Sequence, residues 1–342
     1  MKKMSIKEVA SALQISTATV SYILNGKAKE KRISPELTKK VTAFIEENNF
    51  RPNHLAKSLR TGKTNVIGLI VEDIADPFFA SVAGHIENVA YENGYKIIYS
   101  STKNDPKKAK ELIDTFRDRN VDGYIITPTE GIDNEIKYLI DSKLPVVLFD
   151  RNCNDLDISY VGMNNFESSY QAAKYLISQD YKNIAFVTLD SVQPQMIDRL
   201  LGYERAIYEN RLTSFVKKVE YRAAKEHLIM AEIENMLKTE PHIDAIFFAT
   251  NYLAITGIEL LNRMGVKIGE ELGMMVFDDN DLFRIHQPSI SAIAQPIQEM
   301  SQQLINDLLE HMQDTNEYTN RTTVLPAHLI IRDSSSKMRK NA

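Results

Sequence analysis

A single cysteine, Cys153, stands among the 342 residues. One thiol makes no internal disulfide and no multi-cysteine zinc site, which removes the disulfide-stapled and cysteine-rich metal classes. It follows Asp150-Arg151-Asn152 in an expected loop and reads as a structural thiol rather than a redox sensor. Long apolar runs are lacking as well. The stretch Val66 to Val71 has the length of a buried strand, far short of the roughly 18–20 apolar residues of a membrane span. The opening residues, Met1 to Glu8, carry basic groups with no apolar region behind them, so no signal peptide and a cytoplasmic, nucleoid-associated location are expected. Low-complexity tracts and internal repeats are absent. His54, His85, His227, His242, His286, His311 and His328 lie too far apart to form a local metal motif. No phosphate loop, no Gly-x-Gly-x-x-Gly after a strand and no Gly-x-Ser-x-Gly elbow occurs. Asp278-Asp279-Asn280-Asp281 lacks the glycine and terminal glutamate of a calcium loop. No enzymatic activity, cofactor or metal is therefore expected.

What is present describes a folded protein of about two domains. The composition is 43% hydrophobic and 25% charged, ordinary for a globular chain and too apolar for wholesale disorder. The net charge of −5 hides an asymmetry. Of 41 Lys and Arg and 46 Asp and Glu, residues 1–64 hold 13 and 5, a balance of +8, which leaves −13 on the remainder. A small basic head on a large acidic body suggests a nucleic-acid-binding module joined to something else, although charge alone fits a solvated basic surface equally well.

Helical pattern decides between them. Ile6, Val9, Ala10 and Leu13 recur at i, i+3, i+4 and i+7, one apolar face of a short helix. After Gln14-Ile15, Ser16 stands where an N-cap belongs, and Thr17 to Leu24 forms a second helix that Asn25-Gly26 ends. Two helices joined this tightly match a helix-turn-helix, whose second helix enters the DNA major groove. Ser34-Pro35-Glu36 opens a third, with Leu37, Val41, Phe44 and Ile45 as its core face.

The segment Ser5-Ile6-Lys7-Glu8-Val9-Ala10, followed by Ser16-Thr17-Ala18-Thr19-Val20-Ser21-Tyr22-Ile23-Leu24-Asn25, resembles the head of the lactose-repressor/galactose-repressor family of bacterial transcription regulators. Asn49-Phe50-Arg51-Pro52-Asn53-His54-Leu55-Ala56-Lys57-Ser58-Leu59 resembles that family's hinge. The resemblance implies that Thr17, Ala18 and Tyr22 face base edges, Thr17 as donor or acceptor and Ala18 against a thymine methyl. Many members have Arg at the position of Tyr22, so Tyr22 is left between base reading, a phosphate contact and a packing role. Ser16, Thr19, Ser21 and Asn25 are expected to anchor phosphates. Asn53 to Arg60 is only about two helical turns, marginal alone because helix nucleation is costly. The resemblance implies that it orders against a partner hinge in the minor groove, with Asn53, His54 and Ala56 at the DNA and Leu59 wedged into the central base step.

From Val66 onward strands and helices alternate. Strand-like runs cover Val66 to Val71, Lys96 to Ser100, Gly123 to Thr127, Val146 to Phe149, Ile184 to Thr188, Ala245 to Ala249 and Met274 to Phe277. Helical runs such as Pro77 to Asn93 and Pro106 to Arg119 separate them. This implies parallel sheets covered on both faces, in two lobes, with ligands beyond the carboxyl ends of the strands. Polar groups gather at those ends. The resemblance places effector-binding groups there: Asp76, Phe78 and Phe79 after the first strand, Asp150 and Arg151 after Phe149, Arg199 near a helix start, Asn251, Asp278, and Gln295 at a crossover between lobes. Carboxylates, an amide, a guanidinium and an aromatic ring suit a polyol or sugar. Asp150 and Asp278 could also be turn formers, Arg199 an ion-pair partner, and one of Phe78 and Phe79 core rather than pocket. The family more often has Asn-Asp at Asn251-Tyr252, Gly at Val276 and Asn at Asp76, which keeps a nucleobase or a phosphorylated metabolite open as alternatives.

The expected fold class is thus α/β: an all-α helix-turn-helix head over 1–50, a hinge over 51–64, a two-lobed periplasmic-binding-protein-like core over 65–333 and a polar tail over 334–342. The expected function is a homodimeric repressor of a pseudo-palindromic double-stranded DNA operator, set by a small-molecule effector, with no membrane association. Corepression and a protein partner are the alternatives within this scaffold. A solute-capturing protein and a sugar- or nucleotide-processing enzyme are the rivals outside it.

Overall fold

The computed structural model describes residues 4–48, 50, 62–153, 155–220, 226–313 and 318–336. The chain divides into two units, Met1–Thr64 and Asn65–Ala342.

In the first unit three helices follow from their caps. Helix α1 (Ile6–Ala12) starts at a capping box in which the Ser5 hydroxyl accepts from Glu8 N–H and the Glu8 carboxylate accepts from Ser5 N–H; together they satisfy two amides that the first turn leaves open. Helix α2 (Thr17–Leu24) starts at Ser16, whose Oγ accepts from Thr19 N–H at 3.0 Å. Helix α3 (Pro35–Glu47) has Ser34 as its cap and proline at its first turn. Val9, Ala10, Val20, Ile23, Val41 and Phe50 close one small core. Apolar spacing and caps agree at every one of these positions, the consistency expected of a foldable segment.

The second unit runs β1 (Val66–Val71), α4 (Pro77–Glu92), β2 (Lys96–Ser101), α5 (Pro106–Asp118), β3 (Gly123–Ile126), α6 (Asp133–Asp141), β4 (Val146–Phe149) and β5 (Ser159–Met163). It continues through α7 (Asn165–Ser178), β6 (Ile184–Leu189), α8 (Pro194–Glu209), β7 (Phe215–Val219), α9 (Glu226–Thr239), β8 (Ala245–Phe248), α10 (Asn251–Met264), β9 (Gly273–Phe277), α11 (Asp281–Ile285) and β10 (Ser291–Ala294). Then come α12 (Ile297–Gln313), β11 (Thr322–Leu325) and β12 (His328–Ile330). Two six-stranded sheets result, ordered β11-β5-β4-β3-β1-β2 and β12-β10-β9-β8-β6-β7. Among the described residues every strand pairing is parallel except β10 with β12.

Both faces of the first sheet are covered. Residues of α4 and α12, including Val82, Ile86, Met300 and Leu304, pack on one face. Ile113 and Phe116 of α5 with Ile136 and Leu139 of α6 pack on the other. That is why its central strands are continuous apolar runs rather than alternating ones. The second lobe has one larger core that includes Phe186, Phe247, Phe277 and Leu261.

The chain passes between lobes three times, after β5, after β10 and after β11. The first and third passages are tied together: Asn164 N–H donates to Leu325 O at 3.1 Å, and Asn164 Oδ1 accepts from Ala327 N–H at 2.9 Å. A hinge of this kind has few residues to absorb a change of angle between two rigid bodies. Ser334 and Ser335 are fully buried, with Ser334 Oγ donating to Met274 O. The packed body therefore extends beyond residue 333, where the sequence suggested a polar tail. No helix among the described residues is long and apolar enough to cross a membrane.

Candidate functional site

On the first unit, Thr17, Ala18 and Tyr22 are exposed along one side of α2. They fall at i, i+1 and i+5, so they share a face opposite the buried Val20 and Ile23. Lys31 Nζ lies 5.6 Å over the Tyr22 ring, a cation–π contact that fixes the ring at the edge of this face. Ser16 and Thr19 serve the cap, with their hydroxyls 2.9 Å apart. Asn25 Nδ2 donates to Ser21 O at 2.7 Å and to Ser21 Oγ at 3.3 Å and ends the helix. These four side chains thus have local partners that hold α2 in place. Asn53, His54, Ala56 and Leu59 lie outside the described residues.

In the second unit the strand ends build a cleft. On the first lobe, Asp76 caps α4, its Oδ1 accepting from Phe78 N–H at 2.8 Å. Phe78 and Phe79 are both in the lobe core and both line the cleft, so neither is exclusively core. Asp150 follows β4 in the left-handed conformation, at φ 64°, which Asp tolerates better than most residues. Its N–H donates to Val161 O at 3.1 Å. Arg151 is buried and staples the lobe's strand ends: its guanidinium donates to Asn104 Oδ1 at 2.6 Å, to Pro128 O at 3.2 Å and to the Glu72 carboxylate. Its Nε is 3.5 Å from Asp150 Oδ2.

The second lobe repeats the design with different residues. Asp278 follows β9 at φ 70°, and its N–H donates to Ile293 O at 3.0 Å. Arg199 comes from α8. Its Nε donates to Asn165 Oδ1 at 2.8 Å and its Nη1 to Ala249 O at 2.7 Å, with Asp278 Oδ2 3.6 Å away. The guanidinium also lies 4.1 Å from the Phe277 ring centroid. Helix α8 reaches this depth because Gly202 lets it touch α7: a Cβ there would overlap the Phe166 carbonyl and meet Ser169 Cβ at 2.9 Å.

One hydrogen bond among the described residues crosses the cleft, and a second holds the crossover against the second lobe. Asn251 Nδ2, at the start of α10, donates to Asp76 Oδ1 at 3.3 Å across the cleft. Gln295 Nε2, at the crossover, donates to Asp278 Oδ1 at 2.6 Å. The space between the lobes is open to solvent at its mouth and lined by charged, amide and aromatic side chains. Burial raises Asp76 to about 6, with the Asp278 carboxylate across the cleft adding to it. Burial likewise raises Asp150 to about 6, against the lowering pull of Arg151 and Arg199. Among the described residues the buried acceptors Gln195 Oε1 and Gln295 Oε1 have no partner, so water or a bound molecule supplies donors to them.

Asp76, Phe78, Phe79, Asp150, Arg151, Arg199, Asn251, Asp278 and Gln295 all line this one cleft. Sequence reasoning missed Glu72, Leu189, Gln193, Gln195, Met196 and Thr250, which line it too, and named Tyr252, also in the lining, only as a departure from the family pattern. Glu72 carried a readable signal, since it directly follows β1 as Asp150 follows β4. Gln195 did not, because nothing in the local pattern separates it from a solvated helix start.

Two family models match the chain. One describes "Bacterial regulatory proteins, lacI family" and covers residues 5–53. The other describes a "Periplasmic binding protein-like domain" and covers residues 173–335. The ribose operon repressor of Haemophilus influenzae is 28% identical over 341 residues, spanning 96% of this chain and 98% of that protein. The crystal structure of the lac repressor dimer bound to operator and the anti-inducer ONPF aligns at a TM-score of 0.82 and 18% identity, over 98% of this chain and 99% of that one. A LacI family transcriptional regulator from Enterococcus faecium with bound ribose aligns at 0.70 and 23% identity, over 80% of this chain and all of that one.

Proposed function

Because the chain belongs to the LacI family of bacterial regulatory proteins, and is a DNA-binding transcriptional repressor rather than an enzyme, we propose that it works as a homodimer whose operator affinity is set by a polyol in the cleft. Residues 1–50 form the DNA-binding domain, 51–64 the hinge, and the body from 65 through the buried Ser335 the effector-binding and dimerisation core. Thr17, Ala18 and Tyr22 face the base edges of a pseudo-palindromic operator, while Ser16, Thr19, Ser21 and Asn25 hold α2 against the phosphates. Asn53, His54, Ala56 and Leu59 engage the minor groove, with Leu59 as the wedge. The protein acts in the cytoplasm, at the nucleoid.

The observation that carries the effector assignment is the cleft itself: four carboxylates, two amides with unpartnered oxygens and two aromatic rings between two lobes of matching topology. Hydroxyl groups of a sugar supply the donors that this acceptor-rich lining lacks, and a ring face of the sugar rests on Phe78 or Phe79. The same four carboxylates speak against a phosphorylated metabolite. Binding would change the angle between lobes and hence the spacing of the paired hinges, a coupling free energy between two sites.

Selection of the source organism's genomic fragments on the purified protein at about physiological salt tests the reading, because non-specific binding is weak there. Enrichment of a two-fold symmetric site is expected; a blank result with and without cell extract would overturn it. On the enriched site Leu59→Ala should weaken binding by about tenfold or more, since the unstacking of a central step is no longer offset. Equal affinity would remove the hinge from the proposal.

A further inference from the structure

The cleft is not charge-balanced, and its imbalance sits in one place. Its titratable lining is Glu72 at the end of β1, Asp76 at the start of α4, Asp150 and Arg151 after β4, Arg199 of α8 and Asp278 after β9. Four carboxylates thus face two guanidinium groups. Arg151 is committed to Glu72, to the carbonyl of Pro128 and to Asn104, and stands beside Asp150. Arg199 is committed to Asn165 and Ala249 O, and stands 3.6 Å from Asp278. Among the described residues Asp76 has no lysine, arginine or histidine within ion-pair distance. Its carboxyl accepts only from Phe78 N–H and, across the cleft, from Asn251 Nδ2. Each of the other three carboxylates stands beside an arginine.

Two buried glutamine oxygens point to the same need. Gln195 Oε1 and Gln295 Oε1 are unpartnered, and their side chains line this cleft at 3% and 8% exposure. Neutral hydroxyls would satisfy those oxygens. They would leave the half-buried Asp76 opposite Asp278 with no compensating positive charge, a costly arrangement in a partly desolvated site. An ammonium beside hydroxyls satisfies both, because charge-assisted hydrogen bonds are roughly twice as strong as neutral ones.

Resting on the proposed polyol reading of this cleft, we infer that its ligand is an amine-bearing polyol of the amino-sugar class, with the ammonium held by Asp76 and with Asp76 the residue that sets this preference. Asn251 then orients the Asp76 carboxylate, and Gln195 and Gln295 accept from neighbouring hydroxyls. The raised proton affinity of Asp76 and Asp150 fits a site that is short of positive charge when empty.

Calorimetric titration of the full-length protein with three matched pairs tests this: D-glucosamine against D-glucose, D-galactosamine against D-galactose, and D-mannosamine against D-mannose, at about pH 7. In at least one pair the amine should bind about tenfold or more tightly than its parent. The Asp76→Asn variant should reduce that ratio about tenfold, because the amide keeps the shape and an acceptor oxygen while losing the charge. Should the variant fold poorly, the wild-type protein supplies an independent arm. Its amine-over-parent ratio should shrink as the pH is lowered from about 7 to 5, where the carboxyl is protonated and no longer attracts the ammonium. A parent sugar binding as well as its amine would overturn the inference and leave the polyol cleft standing. No binding in any pair would overturn the inference and weaken the polyol reading with it.

Discussion

The two lobes of the body share one strand order and one geometric device, an aspartate in the left-handed conformation just past the fourth strand that the chain lays down in each lobe. Asp150 and Asp278 donate their amides to the adjacent strand at matching positions, Val161 and Ile293. What surrounds the two aspartates differs. In the first lobe the arginine comes from the residue directly after the aspartate and is spent holding the ends of neighbouring strands together. In the second lobe it comes from a helix, and the residue after Asp278, Asp279, turns away to a bidentate pair with Arg332 at 2.7 Å. The difference separates two jobs that the sequence motif alone merges. A strand-end arginine can be scaffold, or it can be part of the binding surface, and its partners decide which.

That distinction is broken most directly at the two arginines. Arg151→Ala strands the buried Glu72 carboxylate, and removing one partner of a buried ion pair costs about 3–5 kcal/mol. Arg199→Ala loses hydrogen bonds to an amide and a carbonyl and the cation 3.6 Å from Asp278, while Asp278 keeps its bond from Gln295; about 2–4 kcal/mol is expected, below Arg151→Ala because the Asp278 contact is longer. Urea midpoints of the two variants should therefore fall unequally, with Arg151→Ala the lower. Ligand affinity should fall in Arg199→Ala even at temperatures where the variant is fully folded. Equal midpoints would erase the division between scaffold and binding surface.

Much of this molecule was legible beforehand, and the reasons are local. Caps, a proline at the first helical position and 3.6-residue spacing located α2 at Thr17–Leu24 and α3 within a residue or two of Pro35–Glu47. Strands buried on both faces are continuous apolar runs, so β1 and β4 were read at their observed bounds. β7 was not read, because Phe215-Val216-Lys217-Lys218-Val219 lies at a sheet edge and carries polar residues. β11 and β12 were missed for the same reason, being short edge strands. In the cleft, topology drew attention to the strand ends, and the family resemblance assigned the particular residues there. Gln195 and Met196 were missed because they reach the cleft from a helix start, where nothing in the spacing marks them. The Asn251–Asp76 bond joins residues 175 positions apart, and no local pattern encodes such a pair.

A second way to sharpen the comparison uses one glycine from each lobe. At Gly202 an added Cβ meets the main chain of α7, which has no freedom to move aside without parting the two helices. At Gly68 in β1 the obstruction is the side-chain ring of Phe116, which can shift by a small rotation within the first-lobe core. Overpacking costs about 1–3 kcal/mol. Gly202→Ala should fall toward the upper end and Gly68→Ala toward the lower. Gly202→Ala should also weaken ligand binding, because α8 carries Arg199 and Gln195 into the cleft. Thermal midpoints and calorimetry together check this; a Gly202→Ala variant with unchanged ligand affinity would detach helix spacing from the site.

A third comparison lies in the pH dependence of stability, and it too divides the lobes. Both carboxyls pushed up to about 6, Asp76 and Asp150, belong to the first lobe. The unfolded chain binds their protons only near 3.9. Between about pH 4 and 6 the native state therefore holds more protons than the unfolded one, so stability declines as pH rises through that window and is level above it. His311, lowered by burial, acts in the opposite sense, because acidification then charges the unfolded state first. The cleft contribution is isolated by difference. Relative to an Asp76→Asn/Asp150→Asn double variant, the wild-type protein should gain on the order of 1–3 kcal/mol on going from about pH 7 to pH 5. Asparagine suits this comparison because it tolerates the left-handed backbone at position 150. Parallel stability curves for the two proteins would mean that both carboxyls are ionised without penalty, and the first lobe would then carry no uncompensated charge into the cleft.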